Sequence, residues 1–202
     1  MQPSEKNHDE VLFQHLQNGD SDAFAELYRR YVKVLYNYAY RLSGSKDKAQ
    51  DAVQDTFVEI WNRRESIGKI QNAKAYLLSC TRRRLTLVVQ EHNFVSSLSV
   101  SESYLDLLVA EHTVEQFIIT EENFRQSVYL LKSCLQELPK REYECLHLRF
   151  FEELSYEEIA QIMNITTQSA RNTTGKALTK LRQHFPKSLL ISLLPYVFLL
   201  IA

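Results

Sequence analysis

Glycine and proline are scarce in this chain: its 202 residues include four of each. That argues against a disordered or loop-built protein, and with 45% hydrophobic residues it points to packed helices. Cysteine is equally thin. Cys80, Cys134 and Cys145 are odd in number and lack metal-ligand spacing, so they read as reduced core thiols. The longest apolar run, SLLISLLPYVFLLIA at residues 188–202, is interrupted by Pro195 and falls short of the roughly 20 residues that span a bilayer. Stable membrane insertion is therefore not expected; the tail reads as a packing or docking segment. The polar start, MQPSEKNHDE, lacks the basic-then-apolar order of a secretory leader, and a cytoplasmic protein is expected. Glycine-rich phosphate loops, nucleophile elbows and paired catalytic acids are missing too. Glu144 and His147 form a Glu-x-x-His pair, but a di-iron bundle takes two such pairs and two further glutamates. No catalytic residue, metal ligand or cofactor is assigned.

Charge of one sign is also missing over long stretches. From Leu85 to Phe124 there is no Lys or Arg, while Glu91, Glu102, Asp106, Glu111, Glu115, Glu121 and Glu122 accumulate. After Glu158 there is no Asp or Glu, while Arg171, Lys176, Lys180, Arg182 and Lys187 follow. Between Arg63 and Arg84 the basic residues face only Glu65. The net charge of −1 conceals this basic, acidic, basic order. A solvated helix face normally mixes both signs, so the two basic segments suit a polyanion.

What is present is helical periodicity. Asp20 or Ser21 can cap a helix with Phe24, Leu27, Tyr28, Tyr31, Leu35, Tyr38 and Leu42 on its apolar side, stopped by Gly44. Ser45 can start a second, with Ala49, Ala52, Val53, Phe57, Ile60 and Trp61 inward. Gly68 breaks the chain in a loop from Ser66 to Asn72. A third helix from Ala73 buries Tyr76, Leu77, Cys80, Leu87 and Val88, and a short leading helix contributes Val11, Leu12 and Leu16. The Ser-rich, acidic stretch that follows reads as a linker. A second bundle begins with Phe124, Val128, Leu131, Leu135 and Leu138. Pro139 stands in the first turn of the next helix, which buries Tyr143, Leu146 and Phe150. The expected fold is all-α: two small helical domains joined by an acidic linker, the second containing a helix-turn-helix.

LSYEEIAQIMNITTQSARNTTGKALTKLR, residues 154–182, carries that motif. Ser155 and Glu158 have capping-box spacing, and Ile159, Ala160, Ile162 and Met163 form an apolar side. Asn164 begins the turn, and Thr166 caps the second helix with Ile165 and Ala170 as a hydrophobic staple. Ala170, Thr174, Ala177, Leu178, Leu181 and Phe185 follow at spacings of three and four. Gln168, Arg171, Asn172, Gly175, Lys176 and Thr179 are left on or near the other side, which offers donors for base edges and phosphates in a major groove. The plain alternative is a helical hairpin in an ordinary core, which leaves the one-sign charge unexplained.

In the first bundle, Lys74, Tyr76, Arg82 and Arg83 interleave cations with an aromatic beside a loop carrying Lys69 and Asn72. Proteins hold unstacked single strands this way. Arg84 falls nearer the apolar side, placed to snorkel or to pair with an acidic stripe of Asp47, Asp51, Asp55 and Glu59 on the preceding helix.

DKAQDAVQDTFVEIW, NAKAYLLSCTRRRL and LPKREYECLHLRFFEELSYEEIAQIMNIT stand in this order, and the chain from Leu12 to Phe185 resembles an extracytoplasmic-function sigma factor. The resemblance implies binding to core RNA polymerase, direction to promoter DNA and opening of the −10 region. It divides the chain into a polymerase-binding and −10-reading domain over 8–94, an acidic linker over 95–120, a −35-reading domain over 121–187 and the apolar tail. It places Asp51, Gln54, Asp55 and Glu59 near the polymerase clamp, with Trp61 packing beneath. The loop Ser66 to Asn72 would receive a flipped base, and Lys69, Asn72, Lys74, Tyr76, Arg82 and Arg83 would hold that strand. Gln168, Ser169, Arg171, Asn172 and Lys176 would address the −35 duplex. An anti-sigma protein is a further expected partner. The chain departs from the family at Arg84, where Asn is common beside the −10 arginine, and at Thr173, Thr174 and Gly175, where basic residues are frequent. The thinner phosphate contacts leave room for an additional targeting protein. The competing reading is a stand-alone helix-turn-helix regulator, which accounts for the second domain but not for the basic −10-like helix or the acidic linker.

Overall fold

Helix ends in this protein are set by short polar side chains. In the computed structural model, which describes residues 3–91 and 130–185, Asp20 Oδ1 accepts from the backbone N–H of Asp22 and Ala23 at 2.8 and 3.1 Å. This starts α2, Ser21–Ser43. Gly44 ends it in the left-handed region (φ 65°), donating its N–H to Tyr40 O at 2.8 Å. Ser45 Oγ accepts from Lys48 N and opens α3, Lys46–Asn62. A single 3₁₀ turn, Arg64–Ser66, leads into the loop, and Asn72 Oδ1 accepts from Ala75 N to cap α4, Ala73–Glu91.

The chain splits into two compact units, the first taking Met1–Ser97. In that unit α2, α3 and α4 pack on one another, and α1, Pro3–Gln17, lies along α2 and α4. The core is formed by Leu27, Leu35 and Tyr38 of α2, Val53, Phe57 and Ile60 of α3, and Leu77 and Leu78 of α4. Two side chains depart from the expected apolar faces. Val11 is 45% exposed, because the phase of α1 turns Phe13 and Leu16 inward instead. Tyr28 is 43% exposed at the rim of α2, its ring resting on Phe57 at 4.8 Å. The side chains of Leu87 and Val88 lie outside the described residues, as do the linker and the apolar tail.

The second unit places α5, residues 130–136, against α6, Lys140–Leu146, and α8, Thr167–Leu181, with α7, Tyr156–Met163, completing the helix-turn-helix. Leu131, Leu135, Tyr143, Leu146, Ala177, Leu181 and Phe185 make one cluster. Pro139 sits one residue before the first turn of α6, accepting from Glu142 and Tyr143 N–H through its carbonyl. After Leu146 the helix widens into a π turn, His147–Phe151, closed by the Glu152 N–H on His147 O at 3.1 Å. This widening was not evident from the sequence, and it leaves Phe150 half-buried where a regular helix would have buried it. The buried His147 ring stacks on Phe151 and places Nε2 3.4 Å from Glu152 Oε1, so this buried carboxylate has a partner.

The capping box is reciprocal: Glu158 Oε2 accepts from Ser155 N at 2.8 Å, and Ser155 Oγ from Glu158 N at 3.2 Å. Asn164 adopts φ 52° at the turn, a conformation Asn tolerates, and Thr166 Oγ1 accepts from Ser169 N to start α8. Gly175 is exposed in the middle of α8, is not left-handed, and has nothing within 4 Å of where a Cβ would stand. Gly175→Ala should therefore stabilise the protein by up to about 1 kcal/mol through helix propensity alone. Urea denaturation measures this; an unchanged or lower midpoint would show that the backbone at Gly175 is not that of an ordinary helix interior.

Candidate nucleic-acid and polymerase interface

Two cations of the first unit, Arg63 and Arg83, border a cavity. The loop contributes Ser66, Ile67 and Gly68, α4 contributes Tyr76, Cys80 and Arg83, and Glu59, Ile60 and Arg63 close the end of α3. The space is about 220 Å³, below the roughly 300 Å³ at which pockets for drug-sized ligands begin. A single planar ring system matches that size, and the walls offer guanidinium donors, a phenol and backbone carbonyls.

Each wall is held from behind. Tyr76 is half-buried, meeting Phe13 edge-on at 5.9 Å. Burial, with Cys80 beside it, pushes the phenol up to about 12, so it stays a neutral donor. Half-buried rather than fully buried, it forms a wall of the pocket. Burial likewise raises the Cys80 thiol, and all three cysteines are buried thiols outside any disulfide. Arg84 does pair with the acidic stripe: its Nε and Nη2 donate to Glu59 Oε2 at 3.0 and 2.7 Å, while Arg63 Nη1 reaches Glu59 Oε1 at 3.1 Å. Burial alone would raise the Glu59 pKa, but the two arginines outweigh it and hold the carboxyl below its usual 4.5.

The remaining expected residues fall in three places. Arg83 is exposed, Arg82 and Lys74 are half-buried, and Lys69 is bound to Glu10 at 2.8 Å. Asn72 serves as the cap of α4. On α3, Asp51, Gln54 and Asp55 are exposed, Gln54 at the edge of an apolar groove of about 420 Å³ between α2 and α3. Trp61 is half-buried against Phe24 at 5.1 Å, with the Arg64 guanidinium 4.8 Å from its ring centre. Glu59 differs from its neighbours in the stripe, being turned inward to the two arginines. In the second unit Gln168, Arg171, Asn172 and Lys176 are exposed on α8, and Ser169 is half-buried in its first turn. Gln168 Nε2 donates to Asn172 Oδ1 at 2.9 Å, and Arg171 lies 5.3 Å from the Tyr156 ring centre and 3.8 Å from Glu157. Among the described residues no group of three or more His, Cys, Asp or Glu is placed to hold a metal ion.

The family description "Sigma-70 region 2" matches residues 27–87 and "Sigma-70, region 4" residues 134–183. RNA polymerase sigma factor YlaC of Bacillus subtilis is 26% identical over 83% of this chain and 94% of its own length. ECF RNA polymerase sigma factor BldN of Streptomyces coelicolor is 26% identical over 87% of this chain and 65% of its own length. The chain belongs to the extracytoplasmic-function sigma factors. As a sigma factor it directs RNA polymerase to promoters. The fold is shared with the sigma factor RpoE, solved in complex with the anti-sigma factor NepR from Bartonella quintana: 23% identity, 79% of this chain and 94% of that one, TM-score 0.52.

Sequence reasoning gave no site role to Ile60, Arg63 and Cys80, which line the cavity, or to Gln17 and Glu10, which hold its loop. Spacing along one helix could have flagged Cys80, one turn after Tyr76. Glu59 also yields a measurable expectation. Its depressed pKa means that the carboxylate stabilises the fold above about pH 4.5 and that this contribution is lost as pH falls through the lowered value. Glu59→Gln should cost about 1–3 kcal/mol at neutral pH, because half-buried Arg84 loses its charged acceptor. The gap from wild type should narrow below pH 4.5; unfolding curves from pH 7 to 3 showing a constant gap would assign the loss to packing instead.

Proposed function

We propose that the cavity between Ser66–Gly68 and α4 is the seat of an unstacked base of the −10 non-template strand. The observation carrying this reading is a ring-sized space bordered by Arg63 and Arg83 in a sigma region 2. Arg82, Arg83 and Lys74 then hold the strand's phosphates outside it, with Lys69 and Asn72 at the loop. Tyr76 supplies a wall and a hydrogen-bond donor. Asp51, Gln54 and Asp55, with the apolar groove beside them, form the surface for core polymerase, Trp61 supporting the end of α3. Glu59 contributes from inside, by fixing α4. On α8, Gln168, Arg171 and Asn172 face the −35 bases, while Ser169 and Lys176 address phosphates. The chain acts as a binding and strand-opening factor, not as an enzyme. An anti-sigma protein is its second partner, as the RpoE–NepR complex suggests by likeness of fold. The chain divides into a polymerase-binding and −10-reading domain over 8–94, an acidic linker over 95–120, a −35-reading domain over 121–187 and an apolar tail over 188–202.

Run-off transcription tests the assignment. Core polymerase should initiate on selected genomic fragments only when this protein is added, and Arg82→Ala with Arg83→Ala should abolish that on closed duplex. A template already mismatched over the −10 region should recover much of the loss; equal loss on both templates would assign the arginines to general phosphate binding. In the second unit, Arg171→Ala should relax preference at one −35 position by about 1–3 kcal/mol. Lys176→Ala should weaken all sequences alike and flatten the salt dependence. A holoenzyme whose promoter preference is indifferent to Arg171→Ala would move −35 reading to a separate targeting protein.

A further inference from the structure

We infer that α1 is the positioning element of the base-receiving loop and that Gln17 is its positioning residue. The inference rests on the reading of the cavity as a base seat.

Residues 67–70 have no regular secondary structure, and nothing lies within 4 Å of where a Cβ on Gly68 would stand. Left to itself such a segment samples many backbone conformations, and ordering it when a base arrives would cost conformational entropy. Three consecutive residues are already fixed, all from one helix. Gln17 Nε2 donates to Ile67 O at 2.6 Å and lies 3.3 Å from Gly68 O, and Glu10 Oε1 accepts from Lys69 Nζ at 2.8 Å. Ile67 and Gly68 are the loop residues that line the cavity. The same helix supports the opposite wall, since Phe13 meets the ring of Tyr76.

A support must itself be fixed, and α1 is. Buried Asp9 accepts from Arg30 Nη1 at 3.1 Å and from the Tyr31 hydroxyl, tying α1 to α2. The Lys69–Glu10 pair is exposed and adds little alone. Gln17 carries the larger share, because its bond to Ile67 O is part-buried and so less open to competition from water. Holding the loop before the base arrives raises affinity by removing an ordering cost, with no contact to DNA.

Gln17→Glu is the informative substitution. It keeps the side-chain shape but presents an ionised acceptor to two carbonyls. Holoenzyme is titrated with fluorescent single strands carrying the −10 sequence, either intact or with one abasic site moved along it. Wild type should lose affinity sharply when the seated base is removed. Gln17→Glu should bind the intact strand about three- to tenfold more weakly, the range expected for one net hydrogen bond. It should lose little more when that base is removed, with core-polymerase binding and melting temperature unchanged. Equal sensitivity of wild type and variant to the abasic site would overturn the inference while leaving the base seat intact. A wild type indifferent to an abasic site at every position would overturn the base seat, and the inference with it. Glu10→Gln, which alters only the exposed pair, should shift binding in the same direction by a smaller factor. If Gln17→Glu does not fold, the absence of any such shift in Glu10→Gln overturns the inference.

Discussion

A half-buried carboxylate with two guanidiniums sets the geometry of the first unit. Glu59 receives Arg84 from α4 and Arg63 from the end of its own helix, all within 3.1 Å. Such a cluster tolerates little rotation, because leaving any member unpaired away from water is expensive. It therefore fixes the angle of α4 about its axis. With Arg84 committed inward, the helical step of 3.6 residues per turn sends Arg83 outward and Arg82 to the flank. A run of three arginines thus becomes one structural strut, Arg84, and two side chains turned away from it, the pair proposed to hold the strand. The same cluster forms one border of the cavity, so the acidic helix and the basic helix share a single anchor.

That sharing explains a division of labour within the acidic stripe. Asp51 and Asp55 are exposed and contribute long-range field; Glu59, one turn further on, has exchanged that field for two short contacts. Surface carboxylates steer encounter with a basic partner over about a Debye length, whereas a paired one contributes almost nothing at range. Under the proposed assignment, polymerase approach and strand capture are separable along a single helix, the first at its exposed middle and the second at its C-terminal end.

What could be read in the sequence was what is local. Asp20, Ser45, Ser155 with Glu158, and Thr166 each complete a cap within three residues, and capping follows from side-chain length and backbone geometry alone. The Arg84 pairing was also accessible, since helical phase put Arg84 on the wrong side for solvent. Contacts across many residues were not. Gln17 meets Ile67 fifty residues away, and no period in either segment announces it. The phase of α1 was misread for a related reason: Val11, Leu12, Phe13 and Leu16 are nearly continuous, and only the packing surface decides which of them is buried. The π turn escaped because its cause, the His147–Glu152 pair, is a tertiary arrangement that a regular helix would not make.

The recognition helix has few cations, and its resting contacts show how those few can suffice. Arg171 lies over the Tyr156 ring and near Glu157, both on the preceding helix, so its guanidinium is held extended before any DNA is met. The carboxylate is 3.8 Å away and both groups are largely exposed, so that attraction is screened and a base edge can displace it at small cost. The aromatic contact can persist in the bound state, because a ring face does not compete for the N–H donors. Gln168 and Asn172 are prearranged as well, each limiting the other's rotamers through their mutual bond. Where Thr173, Thr174 and Gly175 supply no charge, pre-ordering of the readers lowers the entropy lost on binding and partly replaces the missing phosphate contacts. Under the proposed −35 reading, specificity in this unit is concentrated in one turn of α8, and the polymerase and the melted strand supply most of the affinity.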